Sequence, residues 1–302
     1  MTAPILQLSD YELAHVSVAV VGVDGVLRFG HREQVPCYAA SIMKLAVAVA
    51  VLRDLDRGLL SPGDVLFYDG GFASSFDGSR FVIDDDSVDH ELFVDGCAGG
   101  GSAGGGCAGG GSGLEAGGSG VSVARALRRS ITVSSNEGAN LLMQAVGLEA
   151  VNQVLREAGC ENSVVGRMVF DIAARDAGYT NVLTALDAAR VMWSIRFGAI
   201  AAGDSLVYLT SVLRDQTQRS MVPFALRDAL ERGDVVVGNK EGQTNEVLHD
   251  VAFIEPKDSD PFVVAVCTSG LHELEATLAV RKVATYAYEN RGLWNSVLGG
   301  AA

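Results

Sequence analysis

Ser41 and Lys44 stand three residues apart in YAASIMKLAVAVAVLRDLDRG (38–58), at the start of an apolar, helix-like run. On a helix that spacing places both side chains on one face, within reach of each other. A serine hydroxyl is a poor nucleophile until a neighbouring base takes its proton, and a lysine of depressed pKa can be that base. Lysine is scarce here: of 23 basic residues only Lys44, Lys240, Lys257 and Lys282 are lysines. Arginine serves wherever a solvated charge suffices, whereas a buried lysine can give up its proton. Ser41 also falls in the first turn, where unpaired N–H groups and the helix dipole stabilise negative charge on an attacked oxygen. Two further groups accompany the pair: Ser134-Ser135-Asn136, just before a helix in ITVSSNEGANLL, and Lys240-Glu241-Gly242, ending a strand in VVVGNKEGQTN. Each also has a plain structural reading: Ser134 as a helix cap, Asn136 as a turn residue, Lys240 as a solvated strand end.

The elements that must position these residues follow from the hydrophobic pattern. HVSVAVVGV and VLRFGHRE flank an Asp24-Gly25 turn and predict a hairpin over 15–33. The Ser41 helix should end near Gly58, a suitable C-cap. Further helices are predicted over 121–131 with Ser122 as cap, 137–147, 148–159, and 184–195 with a capping box from Thr184 to Asp187. After about residue 232 come three strand-like runs, DVVVGNKEG, EVLHDVAFIE and PFVVAVCTS, and a closing helix in HELEATLAVRKVATYAYENRG. Strands at both ends with helices between predict an α/β (α+β) fold. Its antiparallel sheet is built from 1–58 and 232–302 and flanked by helices, and an all-helical domain spans 59–231. GCAGGGSAGGGCAGGGSGLEAGGSG (96–120) is too glycine-rich to bury enough surface to offset its entropy, and reads as a flexible surface insertion in which Cys97 and Cys107 are incidental. DDDSVDHE (84–91) reads as a solvated acidic loop.

Ser-x-x-Lys, then Ser-x-Asn, then Lys-x-Gly, in that chain order, resembles the signature of the penicillin-recognising serine enzymes. AASIMKLAVAVAVL, ITVSSNEGANLLMQAVG and TNVLTALDAARVM are similar to the corresponding helices of class A β-lactamases in particular. The similarity runs from about residue 15 to 290, leaving out the Gly-rich insert and the region around 62–95. It implies Ser41, Lys44 and Ser134 as catalytic residues: Ser41 attacks a carbonyl, Lys44 activates it, and Ser134 relays a proton to the leaving nitrogen. It further implies Asn136, Lys240, Gly242 and Gln243 as substrate-binding residues. Asn136 would hold the substrate's side-chain amide and Lys240 its carboxylate, while the backbone N–H groups of Ser41 and Gln243 form the oxyanion hole. Neither a cofactor nor a metal is implied. Two departures matter. Glu241 replaces the usual Thr or Ser of the third motif, adding a negative charge beside Lys240. Aligned on Arg167, Val169 falls where the class A enzymes carry the glutamate that activates the deacylating water, with Asp171 and Asp176 the nearest carboxylates.

Composition narrows the function further. A net charge of −14 argues against nucleic acid or anionic membrane as the main partner, leaving a small-molecule amide, lactam or ester. The longest apolar run, Leu45 to Leu52, is far short of a membrane span, and the N-terminus lacks a signal-peptide pattern, which predicts a cytoplasmic location. There Cys37, Cys97, Cys107, Cys160 and Cys267 would be reduced. The five histidines are scattered without metal-ligand spacing, and His249-Asp250 is expected to be structural. The expected activity is that of a serine β-lactamase-like hydrolase working through an acyl-Ser41 intermediate, slow on standard penicillins. A transacylase that passes the acyl group to an amine is the alternative, and a sensor module acylated without turnover is another.

Overall fold

The computed structural model describes residues 7–84, 87–93 and 119–295, so Cys97, Cys107 and nearly all of the Gly-rich stretch lie outside the described residues. A short α1 (Asp10–His15), capped by Ser9, leads into the predicted hairpin of β1 (Val16–Gly22) and β2 (Leu27–His31). Gly25 takes φ +79° at its tip, and the Asp24 carboxylate accepts from the Val26 N–H at 3.2 Å. After β3 (Cys37–Tyr38), a 3-10 turn over Ala40–Met43 runs directly into α2 (Lys44–Asp56). Every residue of α2 from Lys44 to Leu52 is buried. A helix apolar all round belongs inside, and α2 is the central one.

Short strands β4 (Val65–Tyr68), β5 (Phe72–Ala73), β6 (Arg80–Phe81) and β7 (Ser119–Ser122) form two small pairs, β4 with β7 and β5 with β6. Then come α3 (Val123–Thr132), α4 (Asn136–Val146) and α5 (Leu148–Glu157). The segment β8 (Val164–Val165), α6 (Ile172–Asp176) and β9 (Asn181–Leu183) closes against β3 in a three-stranded sheet ordered β3-β9-β8. Helices α7 (Ala185–Arg196), α8 (Gly203–Arg214), α9 (Val222–Ala225) and α10 (Arg227–Glu231) precede the C-terminal strands. Thr184 caps α7 as expected, accepting from the Asp187 N–H at 3.0 Å. The reciprocal half of the expected box is not made: Asp187 instead accepts from Ser163 Oγ at 2.8 Å and the Asn162 N–H at 3.1 Å.

The main sheet combines the two ends of the chain, as predicted. β10 (Val235–Gln243), β11 (Val247–Pro256) and β12 (Phe262–Ser269) join β1 and β2 in the order β10-β11-β12-β1-β2, antiparallel throughout. His249 and Asp250 lie inside β11, within the strand-like run EVLHDVAFIE. Both faces are covered, so the strands read as near-continuous apolar runs. Alternate residues go to opposite sides: Val16, Val18, Val20, Val264 and Val266 pack with Val280 and Val283 of α11 (Glu273–Glu289). Ala19, Val21, Val263 and Ala265 join the core around α2 and α7. Each of these valines contributes ~1.5–3 kcal/mol on full burial. No helix among the described residues is long and apolar enough to cross a membrane.

Candidate active site

Ser41 lies in the 3-10 turn ahead of α2, half-buried, directly after Ala40, whose φ of +44° is a left-handed conformation rare outside glycine. Gly242 of β10 lies against this turn: a Cβ there would stand 3.1 Å from Ser41 N, Ala40 Cβ and Ile42 Cγ1. Glycine is therefore what lets the third motif touch the backbone of the first. Lys44 sits at the start of α2, fully buried. Its amine donates to the Ser134 carbonyl at 2.6 Å, to Asn136 Oδ1 at 2.8 Å and to Ser134 Oγ at 3.3 Å. Lys240, also fully buried, donates to the same Ser134 hydroxyl at 2.9 Å. All three motifs thus meet around one hydroxyl. Ser135, not Ser134, caps α4, accepting from the Gly138 N–H at 3.1 Å, which leaves Ser134 free to face the lysines at φ +60°. Asn136 opens α4, and Gln243 ends β10. Lys44 points toward Ser134 and Asn136; the Ser41 hydroxyl makes no hydrogen bond among the described residues.

Burial and then the neighbouring charge of Lys240 push the Lys44 pKa well below the usual amine value, against the pull of Glu241, Glu137 and Asp89. Lys240 is lowered by burial and partly held up by Glu241. Glu241 does not point to solvent. Its Oε2 accepts from Lys240 Nζ at 2.7 Å and from Gln216 Nε2 at 2.7 Å, and Gln216 is fixed in turn by donating to the Ile131 carbonyl at 2.7 Å. Glu137, next after Asn136, is buried with its pKa raised by desolvation; Oε2 accepts from the Asp89 N–H at 3.2 Å and Oε1 has no partner among the described residues. Asp89 corrects the reading of 84–91 as a solvated loop, because its carboxylate is held by Arg129 at 2.6 and 2.7 Å beside the site. Glu137, Asp89 and Gln216 were not anticipated. Only Glu137, adjacent to the Ser-x-Asn motif, carried a signal that could have drawn attention.

The loop that carries Val169 is clamped by Asn140 of α4: Asn140 Nδ2 donates to the Val169 carbonyl and the Val169 N–H donates to Asn140 Oδ1, both at 2.9 Å. The two nearby carboxylates are engaged elsewhere. Asp171 caps α6 and accepts from Ser74 Oγ at 2.7 Å, Ser75 N at 2.8 Å and Ser75 Oγ at 2.9 Å. Asp176 is exposed and paired with Arg175 at 2.9 Å. The donor set nearest to a metal site is Cys37, His249 and Cys267, whose ligand atoms lie within 4.8 Å of one another. His249 Nδ1 accepts from the Thr268 N–H at 3.2 Å, and Nε2 faces the Tyr38 carbonyl at 2.8 Å. The proton therefore resides on Nε2. Metal binding there would move it to Nδ1, against a backbone donor, so the trio does not fit a cation. It serves as packing between β3 and the sheet, in line with the structural role expected of His249.

Comparison with known proteins accords with this geometry. PBP-A matches with a TM-score of 0.67 at 18% identity, over 91% of this chain and 89% of its own. A β-lactamase from Sphaerobacter thermophilus matches with a TM-score of 0.68 at 21% identity, over 95% and 99%. An ancestral class A β-lactamase gives 0.68 at 22% identity, over 91% and 94%. At these identities the likeness is one of fold. No curated protein matches the sequence. The profile of the "Beta-lactamase enzyme family" matches residues 107–290, more than half of the chain, including the second and third motifs, and the chain belongs to that family.

Proposed function

We propose that this protein opens an amide, lactam or ester through a covalent acyl-Ser41 intermediate and releases the acyl group slowly. The observation that carries the reading is the Ser134 hydroxyl set between two buried lysines, at 2.9 Å from Lys240 and 3.3 Å from Lys44. A lysine donating to the Ser134 carbonyl and Asn136 Oδ1 keeps a lone pair for a third neighbour once it is neutral, and burial favours the neutral form. Lys44 then takes the Ser41 proton as Oγ forms its bond to the carbonyl carbon. The developing oxyanion is met by the N–H groups of Ser41 and of Gln243, the residue that follows the Gly242 packed on Ser41 N. Collapse breaks the bond to the leaving group, which receives its proton through Ser134, while Lys240 holds that hydroxyl in place. Asn136 both fixes Lys44 and offers its amide to the substrate. A variant of PBP-A is known as an acyl-enzyme complex with penicillin G, so the fold accommodates such an intermediate.

A second reading, transfer of the acyl group to an amine, draws support from the loop. Val169 has no base to offer, and Asp171 has its carboxylate committed to four donors. With Val169 in place of a base on that loop and Asp171 engaged, the acyl-serine should outlive its formation, and an amine can compete for it. Intact-protein mass spectrometry with p-nitrophenyl phenylacetate, an activated ester with no carboxylate on its leaving group, tests both readings. The expected result is a mass gain persisting for minutes or longer, absent in Ser41→Ala, with added amines shortening its life if transfer operates. Labelling that survives Ser41→Ala would overturn the proposal.

A further inference from the structure

We infer that Glu241 replaces, inside the protein, the carboxylate that the resemblance would have Lys240 take from a substrate. Acyl donors for this site accordingly carry an uncharged or cationic hydrogen-bond donor, not an anion, on the leaving-group side. The inference rests on the acyl-Ser41 reading and specifies its substrate class.

An ammonium has three N–H groups to give. Those of Lys240 go to Ser134 Oγ at 2.9 Å, the Glu241 carbonyl at 2.9 Å and Glu241 Oε2 at 2.7 Å, so none remains for an incoming carboxylate. The two opposite charges cancel locally, and both groups are buried, Lys240 fully and Glu241 with 6% of its surface exposed. An anionic substrate would gain no attraction from Lys240 and would meet Glu241 with little solvent between them. Gln216 fixes this arrangement from behind, since its Nε2 binds both the Ile131 carbonyl and Glu241 Oε2. The side-chain bonds that Glu241 accepts, from Lys240 and from Gln216, both fall on Oε2. Oε1 accepts nothing among the described residues. A substrate group that reaches it would be a donor: an amide N–H, a hydroxyl or an ammonium group.

Two thioesters of phenylacetic acid test this, one with mercaptoacetic acid and one with mercaptoacetamide, which differ only as carboxylate against carboxamide. In either case the Ser41 oxygen forms the new C–O bond, the C–S bond breaks, and the serine proton ends on the departing thiol. Acylation rates are read by time-resolved intact mass. The carboxamide ester should acylate the wild type at least 10-fold faster than the carboxylate ester. Glu241→Thr should erase or invert that ratio by a further 10-fold. Glu241→Gln, which keeps the shape and the contact to Lys240 while removing the charge, should move it the same way if the threonine variant is poorly folded. A wild type that prefers the carboxylate ester, or a ratio unmoved in both variants, overturns the inference and leaves acyl-serine chemistry intact. Failure of both esters to label Ser41 removes the parent reading and this one together.

Discussion

In the proposed mechanism Lys44 is the base, and its environment would set the pH at which it works. Burial and Lys240 drive its proton off, whereas the negative charges of Glu241, Glu137 and Asp89 oppose that loss. Removing one of them shifts the balance in a known direction. In Glu137→Gln the ammonium form of Lys44 loses a stabilising neighbour, its pKa falls, and the rise of acylation rate with pH should move to lower pH. A pH profile of acylation checks this; a limb that stays in place or moves upward would show that Glu137 does not act on Lys44. The residue types of the site were legible because the three motifs are short, ordered and rich in otherwise scarce lysine. The partners of Glu241 were not. Which way a strand side chain points depends on register, and Gln216 reaches it from a different element with no local pattern to announce it.

At the scale of elements, the proposed slow release of the acyl group is tested at the loop held by Asn140. Its backbone is clamped at Val169, so a side chain placed there is held in a defined position. Val169→Glu should supply the missing base and hasten loss of the acyl group by about 10²–10⁴-fold, the usual range for a positioned acid or base. The decay of the mass adduct measures it, and an unchanged lifetime would show that the loop does not face the acyl-serine. Helices with a clear apolar stripe, such as α3 with its Ser122 cap and α4, were readable from sequence, although the cap of α4 is Ser135 and not Ser134. Helix α8 was not: Ala202 caps it without a side-chain bond, and its GDSLVYLTSVLR carries β-branched residues that also suit strands. The β4–β7 pair was hidden for another reason, since Ser119–Ser122 emerges straight from the glycine run and has almost no pattern of its own.

For the molecule as a whole, a buried carboxyl in the main sheet ties stability to pH. Asp250 of β11 accepts from Asn239 Nδ2 and from the Val222 N–H, both at 2.9 Å, and burial pushes its pKa up to about 7. The native state therefore keeps a proton that the unfolded chain releases near the ordinary carboxylate value. This contribution to stability is complete below about pH 4, shrinks as pH rises, and is gone above about pH 7. Thermal unfolding should show the wild type losing more stability between pH 5 and pH 7 than Asp250→Asn; equal slopes would contradict it. The order of elements made the two-ended sheet foreseeable. That order also bears on synthesis. β1 lies between β2 and β12, so a ribosome releases Val16–Gly22 more than two hundred residues before Phe262–Ser269 exists to cover its second edge. Until then a valine-rich strand has an open side, and a message cut short before its last quarter yields a chain with nothing to close that seam.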